Sequence, residues 1–381
     1  MIPYGKHLVD EQDINAVVDV LRNQHLTQGT MVPQFEQALC DYTGANYCVA
    51  VNSATSGLHV ACLAAGVGAG DCVWTVPNSF VASANCALYC GASIDFVDID
   101  PVTRNIDVGA LETKLMDAAK RNCLPKALIV VHFSGLSCDM QNISRLTQLY
   151  SVKLIEDAAH GLGGSYQQSK IGSCVYSDMT VLSFHPVKSI TSAEGGAVLT
   201  NQNQYYKKLQ LFAKHGVTKD PTQFKGDSHG PWYYQQLELG YNYRLSDMQA
   251  ALGVSQLKKL DLFIQRRTEI AKLYDKALAE LPLKLPLVEL DTRSAWHLYM
   301  VELTHHDRQD IYQQLHAKGV AVNVHYIPIH LHPYYQHLGF KLGDFPAAEN
   351  FYNHALTLPL FPSLTHAQQN TVITVLHEVL Q

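Results

Sequence analysis

The sequence predicts an α/β protein, with a mostly parallel sheet in a large domain and a smaller α+β domain behind it. Three observations lead there. Runs of Val, Ile and Leu at 128–131, 152–156 and 180–183 lack polar alternation, as strands buried on both faces require. Helical stretches lie between such runs, the alternation that builds parallel sheets. Near Ser246 the texture changes to a long helix followed by mixed strands and helices. With 381 residues and 47% apolar side chains, the chain can bury two cores.

In chain order, a helix opens near Asp10, with Ile14, Val17, Val18 and Leu21 at helical spacing. Asp10 and Asp13 stand at its amino end, where the helix dipole favours anions. A strand at 47–51 and a helix at 56–65 follow, then strands at 128–131, 152–156, 180–183 and 197–200. The stretch 207–231, rich in Gly, Lys, Asp and Ser, reads as a long surface loop. Ser246 and Gln249 form a capping-box pair that opens one long helix to about Arg267, with Arg266 and Arg267 on its solvated face. A strand at 296–303, a helix at 308–318, a strand at 320–324 and a helix from 367 to the end complete the reading. The expected domains are 1–245 and 246–381.

Composition removes several classes of function. Twenty-eight basic against 34 acidic side chains give a net charge of −6, no footprint for nucleic acid or an anionic membrane. No apolar run reaches the length of a membrane span. Met1-Ile2-Pro3-Tyr4-Gly5-Lys6 lacks the layout of a signal peptide. Nine cysteines, without Cys-x-x-Cys or zinc spacing, fit reduced thiols. The expectation is a cytoplasmic enzyme.

Three segments carry the chemistry. Asn52-Ser53-Ala54-Thr55-Ser56-Gly57 follows a strand and opens a helix, where small residues let backbone amides approach an anion. Ile155-Glu156-Asp157-Ala158-Ala159-His160 puts an acid at the carboxyl end of a buried strand, where open α/β sheets hold ligands. Ser183-Phe184-His185-Pro186-Val187-Lys188 places a lysine just past another strand, ahead of Glu194-Gly195-Gly196. Each has a plain structural explanation alone: packing, a helix cap, a surface lysine. Together they supply what a pyridoxal 5′-phosphate site needs, namely an amine to bond the cofactor, a carboxylate for its pyridine nitrogen and a cradle for its phosphate.

These segments, with Leu26-Thr27-Gln28-Gly29, Val76-Pro77-Asn78-Ser79-Phe80, Tyr241-Asn242-Tyr243-Arg244 and His325-Tyr326-Ile327-Pro328, run in the order of a known family. Over nearly its whole length the chain resembles the DegT/DnrJ/EryC1/StrS sugar aminotransferases, which have the fold-type I architecture of pyridoxal-phosphate enzymes with a seven-stranded sheet. The resemblance implies that Lys188 bonds the cofactor and shuttles the proton, and that Asp157 partners the pyridine nitrogen. It implies a phosphate cradle of Ala54, Thr55 and Ser183, with Phe80 stacked on the ring and His160 near its phenolic oxygen. Asn242, as a cofactor contact, and Arg244, as a substrate contact, are expected to reach the neighbouring subunit's site, so a homodimer is implied. Tyr4, Lys6, Leu26, His325 and Tyr326 are expected to contact substrate.

Within the family the likeness is to the branch that serves pseudaminic acid type pathways. That implies transfer of an amino group from L-glutamate to C4 of a UDP-linked 4-keto-6-deoxy-N-acetylhexosamine. The chain departs from that branch at Ser189, where proline is expected, and at Ser192-Ala193, where Thr-Gly is expected. Two rivals are weighed. A sugar dehydratase of this family carries histidine where Lys188 stands, and a non-catalytic binding protein would not need Asp157, Ser183 and Lys188 together. His325, His330 and His332 suggest a metal site, but no carboxylate or thiol lies near them in sequence, and none is assigned.

Overall fold

The protein is seen in a computed structural model that describes residues 1–287 and 291–380. Its largest sheet has seven strands: β1 (Tyr47–Val51), β2 (Cys72–Thr75), β3 (Ser93–Phe96), β4 (Ala127–Val131), β5 (Lys153–Asp157), β6 (Met179–Ser183) and β7 (Gly196–Thr200). Their order is β1-β7-β6-β5-β4-β2-β3. Only β7 runs against its neighbours β1 and β6, so the carboxyl ends of the other six strands face one edge. The sequence-based strands fall within a residue or two of β1 and β4 to β7. Strands β2 and β3 were not expected; each has four residues and mixes Cys, Thr, Ser or Asp with its apolar positions, too short a pattern to read.

Helices α1 (Glu11–Asn23), α2 (Met31–Thr43), α3 (Ala54–Ala64), α4 (Ala82–Tyr89), α5 (Val108–Lys120), α6 (Met140–Leu149) and α7 (Asn203–Ala213) accompany the sheet. Helix α3 is almost wholly buried, with Leu58, Val60, Ala61 and Cys62 in one core with Val181 and Val198. In α1, Asp10 and Asp13 form a reciprocal capping box. Its buried face, however, is Asp13 and Val20, while Ile14 and Leu21 of the anticipated apolar stripe are exposed. Asp13 tolerates burial because Lys259 Nζ and Gln256 Nε2 each donate to its Oδ2 at 2.6 Å.

The long helix expected after Ser246 is two helices, α8 (Asp247–Leu257) and α9 (Leu260–Ala277), interrupted at Lys258 and Lys259. The capping box of Ser246 and Gln249 is present. Leu257, Leu260, Phe263 and Ile264 join the core of Phe35, Leu182 and Phe184, whereas Ile270 and Tyr274 enter a different one. Arg267 is not on a solvated face: it is 2% exposed, and its Nη1 donates to the carbonyls of Trp296 (3.1 Å), His297 (3.3 Å) and Leu360 (3.0 Å).

That second core surrounds a three-stranded antiparallel sheet of β8 (Leu283–Lys284), β9 (Tyr299–Leu303) and β10 (Ala355–Leu358), in that order. The chain's start joins it, since Ile2 bridges Val320 and packs in the same cluster. The segment 320–324, read as a strand, makes only isolated bridges, Val320 to Ile2 and Asn323 to Thr357. Much of 207–231 is exposed and irregular, although Lys207 to Ala213 belongs to α7.

Candidate active site

The carboxyl edge of the sheet brings the three segments together. Val131, Asp157 and Ser183 are the last residues of β4, β5 and β6, and Asn52 follows β1. The turn from β1 into α3 is held by Ser53, whose hydroxyl accepts from Ser56 N at 3.1 Å, and by Asn52 N, which donates to Tyr243 O at 2.8 Å. Ala54 and Thr55 are the first residues of α3, so their amides have no intrahelical acceptor and point an unused positive end outward. Gly196 makes this turn possible: a Cβ there would lie 2.6 Å from Ala54 N and from Ser53 C.

Asp157 is buried and doubly held. Its Oδ1 accepts from Ala159 N at 3.1 Å and its Oδ2 from Ser83 Oγ at 2.7 Å. Ser83 in turn lies 2.7 Å, hydroxyl to hydroxyl, from Ser79. Across the cavity, Lys188 Nζ makes no hydrogen bond or ion pair among the described residues. Burial lowers the Lys188 amine to about 8, against the opposing pull of the Asp157 carboxylate. A lysine so placed gives up its proton far more readily than an exposed one and becomes a nucleophile at mildly alkaline pH.

One wall is a run of rings. Tyr4 lies 5.5 Å from His325, His325 4.8 Å from Tyr326, and Tyr326 stacks at 6.2 Å on His160. His160 stands 4.2 Å from His297, and Phe80, largely exposed at the mouth, is 6.3 Å from Tyr326. Tyr326 Oη and His160 Nε2 are 3.3 Å apart. Burial, then the charges of Lys188 and His325, push His160 well below the usual histidine range. Burial and Lys188 bring His325 down to about 4, and its Nδ1 sits 2.8 Å from Thr357 Oγ1. These histidines are therefore neutral at neutral pH.

These groups line one cavity of about 390 Å³ that includes Ala54, Thr55, Phe80, Asp157, His160, Ser183, Lys188, Tyr4, His325 and Tyr326. Four sequence-predicted residues stand outside it in the single chain. Asn242 is exposed, and Arg244 is tied by its backbone to Val51 without lining the cavity. Leu26 is exposed at the surface, its carbonyl accepting from Asp247 N at 3.0 Å. Lys6 borders a small void behind Lys188, shared with Arg267 and Gln256. A larger cleft of about 1030 Å³, between Tyr42, Lys170, Gln265 and Arg293, contains none of the predicted residues.

Sequence reasoning missed Ser79 and Ser83 behind Asp157, and His297 and Glu194 on the cavity wall. Ser83 lies in the first turn of α4 and Ser79 in the bend just before it, so no regular spacing announces the pair in the sequence. His330 pairs with Glu349 at 2.8 Å, a partner distant in sequence. Among the described residues no group of three or more His, Cys, Asp or Glu side chains could hold a metal ion.

The residues present fit pyridoxal phosphate. A free helix start suits the phosphate, a fixed carboxylate suits the pyridine nitrogen, and an unpaired amine suits the aldehyde. His160 Nδ1, buried without a hydrogen-bond partner, is the kind of orphan a bound group relieves.

Comparison with known proteins agrees. The model of the DegT/DnrJ/EryC1/StrS aminotransferase family matches residues 7–377. The UDP-4-amino-4,6-dideoxy-N-acetyl-beta-L-altrosamine transaminase of Campylobacter jejuni subsp. jejuni serotype O:2 is 37% identical, covering 100% of this chain and 98% of its own. Among solved structures, Helicobacter pylori PseC, an aminotransferase involved in the biosynthesis of pseudoaminic acid, superposes with a TM-score of 0.88 at 32% identity. It covers 100% of this chain and 99% of its own. Spr1654 from Streptococcus pneumoniae, in its PLP form, gives a TM-score of 0.88 at 28% identity, covering all of both chains. The chain thus belongs to the DegT/DnrJ/EryC1/StrS aminotransferase family, as a sugar aminotransferase with pyridoxal 5′-phosphate as its cofactor.

Proposed function

We propose that the chain transfers an amino group from L-glutamate to C4 of a UDP-linked 4-keto-6-deoxy-N-acetylhexosamine. The carrying observation is Lys188: an unpaired amine lowered to about 8, sharing a cavity of about 390 Å³ with Asp157 and the start of α3. The sugar and its C4 position are supported by the likeness to the Campylobacter transaminase, whose name specifies a UDP-linked 4-amino sugar.

Bound in this cavity, pyridoxal phosphate supplies an aldehyde that carries the amino group and a ring that accepts electrons. The amides of Ala54 and Thr55, with the Ser183 hydroxyl, hold the phosphate. Asp157, fixed by Ser83, keeps a proton on the pyridine nitrogen. Lys188 Nζ, neutral above about pH 8, would hold the cofactor through its aldehyde and, when free, would move a proton at the reacting carbon. His325, Tyr326 and Phe80 line the same cavity and stand where the sugar would meet the cofactor.

The site belongs to a homodimer in this proposal, with Asn242 and Arg244 serving the partner's cavity rather than their own. Arg244 makes no side-chain hydrogen bond or ion pair among the described residues, as such a role would leave it. The division into two domains is part of the same proposal. The packing of Leu260 and Ile264 against one core and Ile270 against the other favours a boundary inside α9 rather than at 245. A second reading, an aminotransferase for a different nucleotide-linked keto-sugar, draws on Ser189 and Ser192-Ala193 beside Lys188, where the chain leaves the branch pattern.

The experiment incubates the purified protein with glutamate and a panel of nucleotide-linked keto-sugars. The 4-keto-6-deoxy-N-acetylhexosamine should give an aminated product and 2-oxoglutarate. Amination of another panel member alone would move the assignment to the second reading.

A further inference from the structure

His297 has no part in the chemistry above, yet its surroundings hold it tightly. Its neighbour Trp296 has a left-handed backbone (φ 47), a conformation that bulky L-residues seldom adopt and that concentrates at functional positions. Gly135 leaves the room: a Cβ there would lie 2.9 Å from Trp296 N and 3.0 Å from His297 N. Ala295 N and Leu298 N donate to the carbonyls of Gly135 and Ser134, at 2.9 and 3.2 Å. From the other side Arg267, buried and without a carboxylate partner among the described residues, donates to the carbonyls of Trp296 and His297. Backbone strain at Trp296 and a buried cation without a carboxylate partner are both costly, and both bear on the backbone that carries His297.

His297 is 4% exposed and forms part of the cavity wall. Its Nδ1 is shut away without a hydrogen-bond partner, and its Nε2 makes no hydrogen bond among the described residues. Burial first, then the charges of His160, Lys188, Arg267 and His325, push it well below the usual histidine range, and no carboxylate offsets them. The ring is therefore neutral, with one N–H and one lone pair. A buried lone pair is better tolerated unpaired than a buried N–H, so Nδ1 keeps the lone pair and Nε2 carries the hydrogen.

We propose that His297 is a substrate-binding residue of the sugar half-reaction, its Nε2–H donating to an acceptor oxygen of the keto-sugar beside Lys188. This rests on the sugar aminotransferase reading. A neutral donor suits the hydroxyl, carbonyl and amide oxygens of a sugar, whereas the carboxylates of an amino-acid donor call for cations. The cofactor's own polar groups already have candidates in Ala54, Thr55, Asp157 and His160.

The test uses the holoenzyme and two variants. His297→Phe keeps the ring's bulk and loses both nitrogens, and His297→Gln keeps an N–H near the position of Nε2. Four quantities are read: thermal stability, cofactor affinity by absorbance, the glutamate half-reaction, and the sugar half-reaction with a keto-sugar that the wild type accepts. His297→Phe should retain the fold, the cofactor and the glutamate half-reaction, yet lose tenfold or more in the sugar half-reaction, to about the extent that an unmade polar contact costs. His297→Gln should restore part of that loss. Equal loss in both half-reactions together with weakened cofactor binding would make His297 a support for the cofactor and overturn the inference. Unchanged sugar turnover in His297→Phe would overturn it too. If the wild type accepts no keto-sugar, the functional reading itself fails and the inference falls with it, a result distinct from an accepted sugar that ignores the variant.

Discussion

The Ser83 hydroxyl donates to Asp157 Oδ2 at 2.7 Å, so the carboxylate assigned to the pyridine nitrogen is oriented from α4, not only from its own strand. Replacing Asp157 with Asn keeps the shape and loses the charge. The rate should fall at least about a hundredfold, equivalent to about 2.7 kcal/mol. Ser83→Ala removes one hydrogen bond to a charged group and should cost about tenfold. Steady-state kinetics of both variants decide the matter. A near-normal Asp157→Asn enzyme would reduce Asp157 to a structural residue capping the turn that follows β5.

The lowered Lys188 amine sets a pH dependence. A protonated amine cannot attack an aldehyde, so capture of the cofactor by the apoenzyme requires the neutral form. With the group at about 8 instead of the ordinary 10.5, the capture rate should rise with pH, bend near 8 and be flat above about 9. Stopped-flow absorbance from about pH 6 to about pH 11, roughly two units below the bend and three above it, measures this. A rate still climbing beyond pH 10 would show that burial does not act on this lysine.

Ala193 occupies left-handed backbone (φ 66), next to the lysine loop. An alanine there carries a steric penalty of about 1 kcal/mol that glycine avoids, set against the greater freedom glycine has when unfolded. Ala193→Gly should therefore raise the melting temperature slightly, by about 2 °C at most, with kcat unchanged. A drop in melting temperature would show that Ser192 and Thr191, which hold this turn through Glu194 O and Ala193 N, already stabilise the conformation.

Arg244 lies outside its own cavity, and mixing tests where it acts. Lys188→Ala and Arg244→Ala should each be inactive. After chain exchange, hybrid dimers should regain one intact site each, or about a quarter of wild-type activity in an equal mixture. Exchange without recovery would confine Arg244 to its own chain.

How much of this was legible in the sequence depends on range. Asp157, Ser183 and Lys188 could be read because each ends or follows a run of buried aliphatic residues, and strand ends fix where side chains converge. The capping boxes at Asp10 and Ser246 are local and were equally legible. Arg267 was misread because a buried arginine and a solvated one look alike until the carbonyls of 296, 297 and 360 arrive from elsewhere. The break between α8 and α9 falls at two lysines, with neither Gly nor Pro to announce it. His297 sits just before an apolar strand, and only the approach of His160 and Lys188 distinguishes it from a core histidine.

The central claim is that Lys188 is the amine that bonds the cofactor. Borohydride reduction of the holoenzyme, followed by proteolysis and peptide mass spectrometry, tests it most directly. The account predicts a yellow protein that bleaches on reduction and a single pyridoxyl adduct on the peptide containing Lys188. An adduct on any other lysine, or none on a protein that has bound the cofactor, would contradict it.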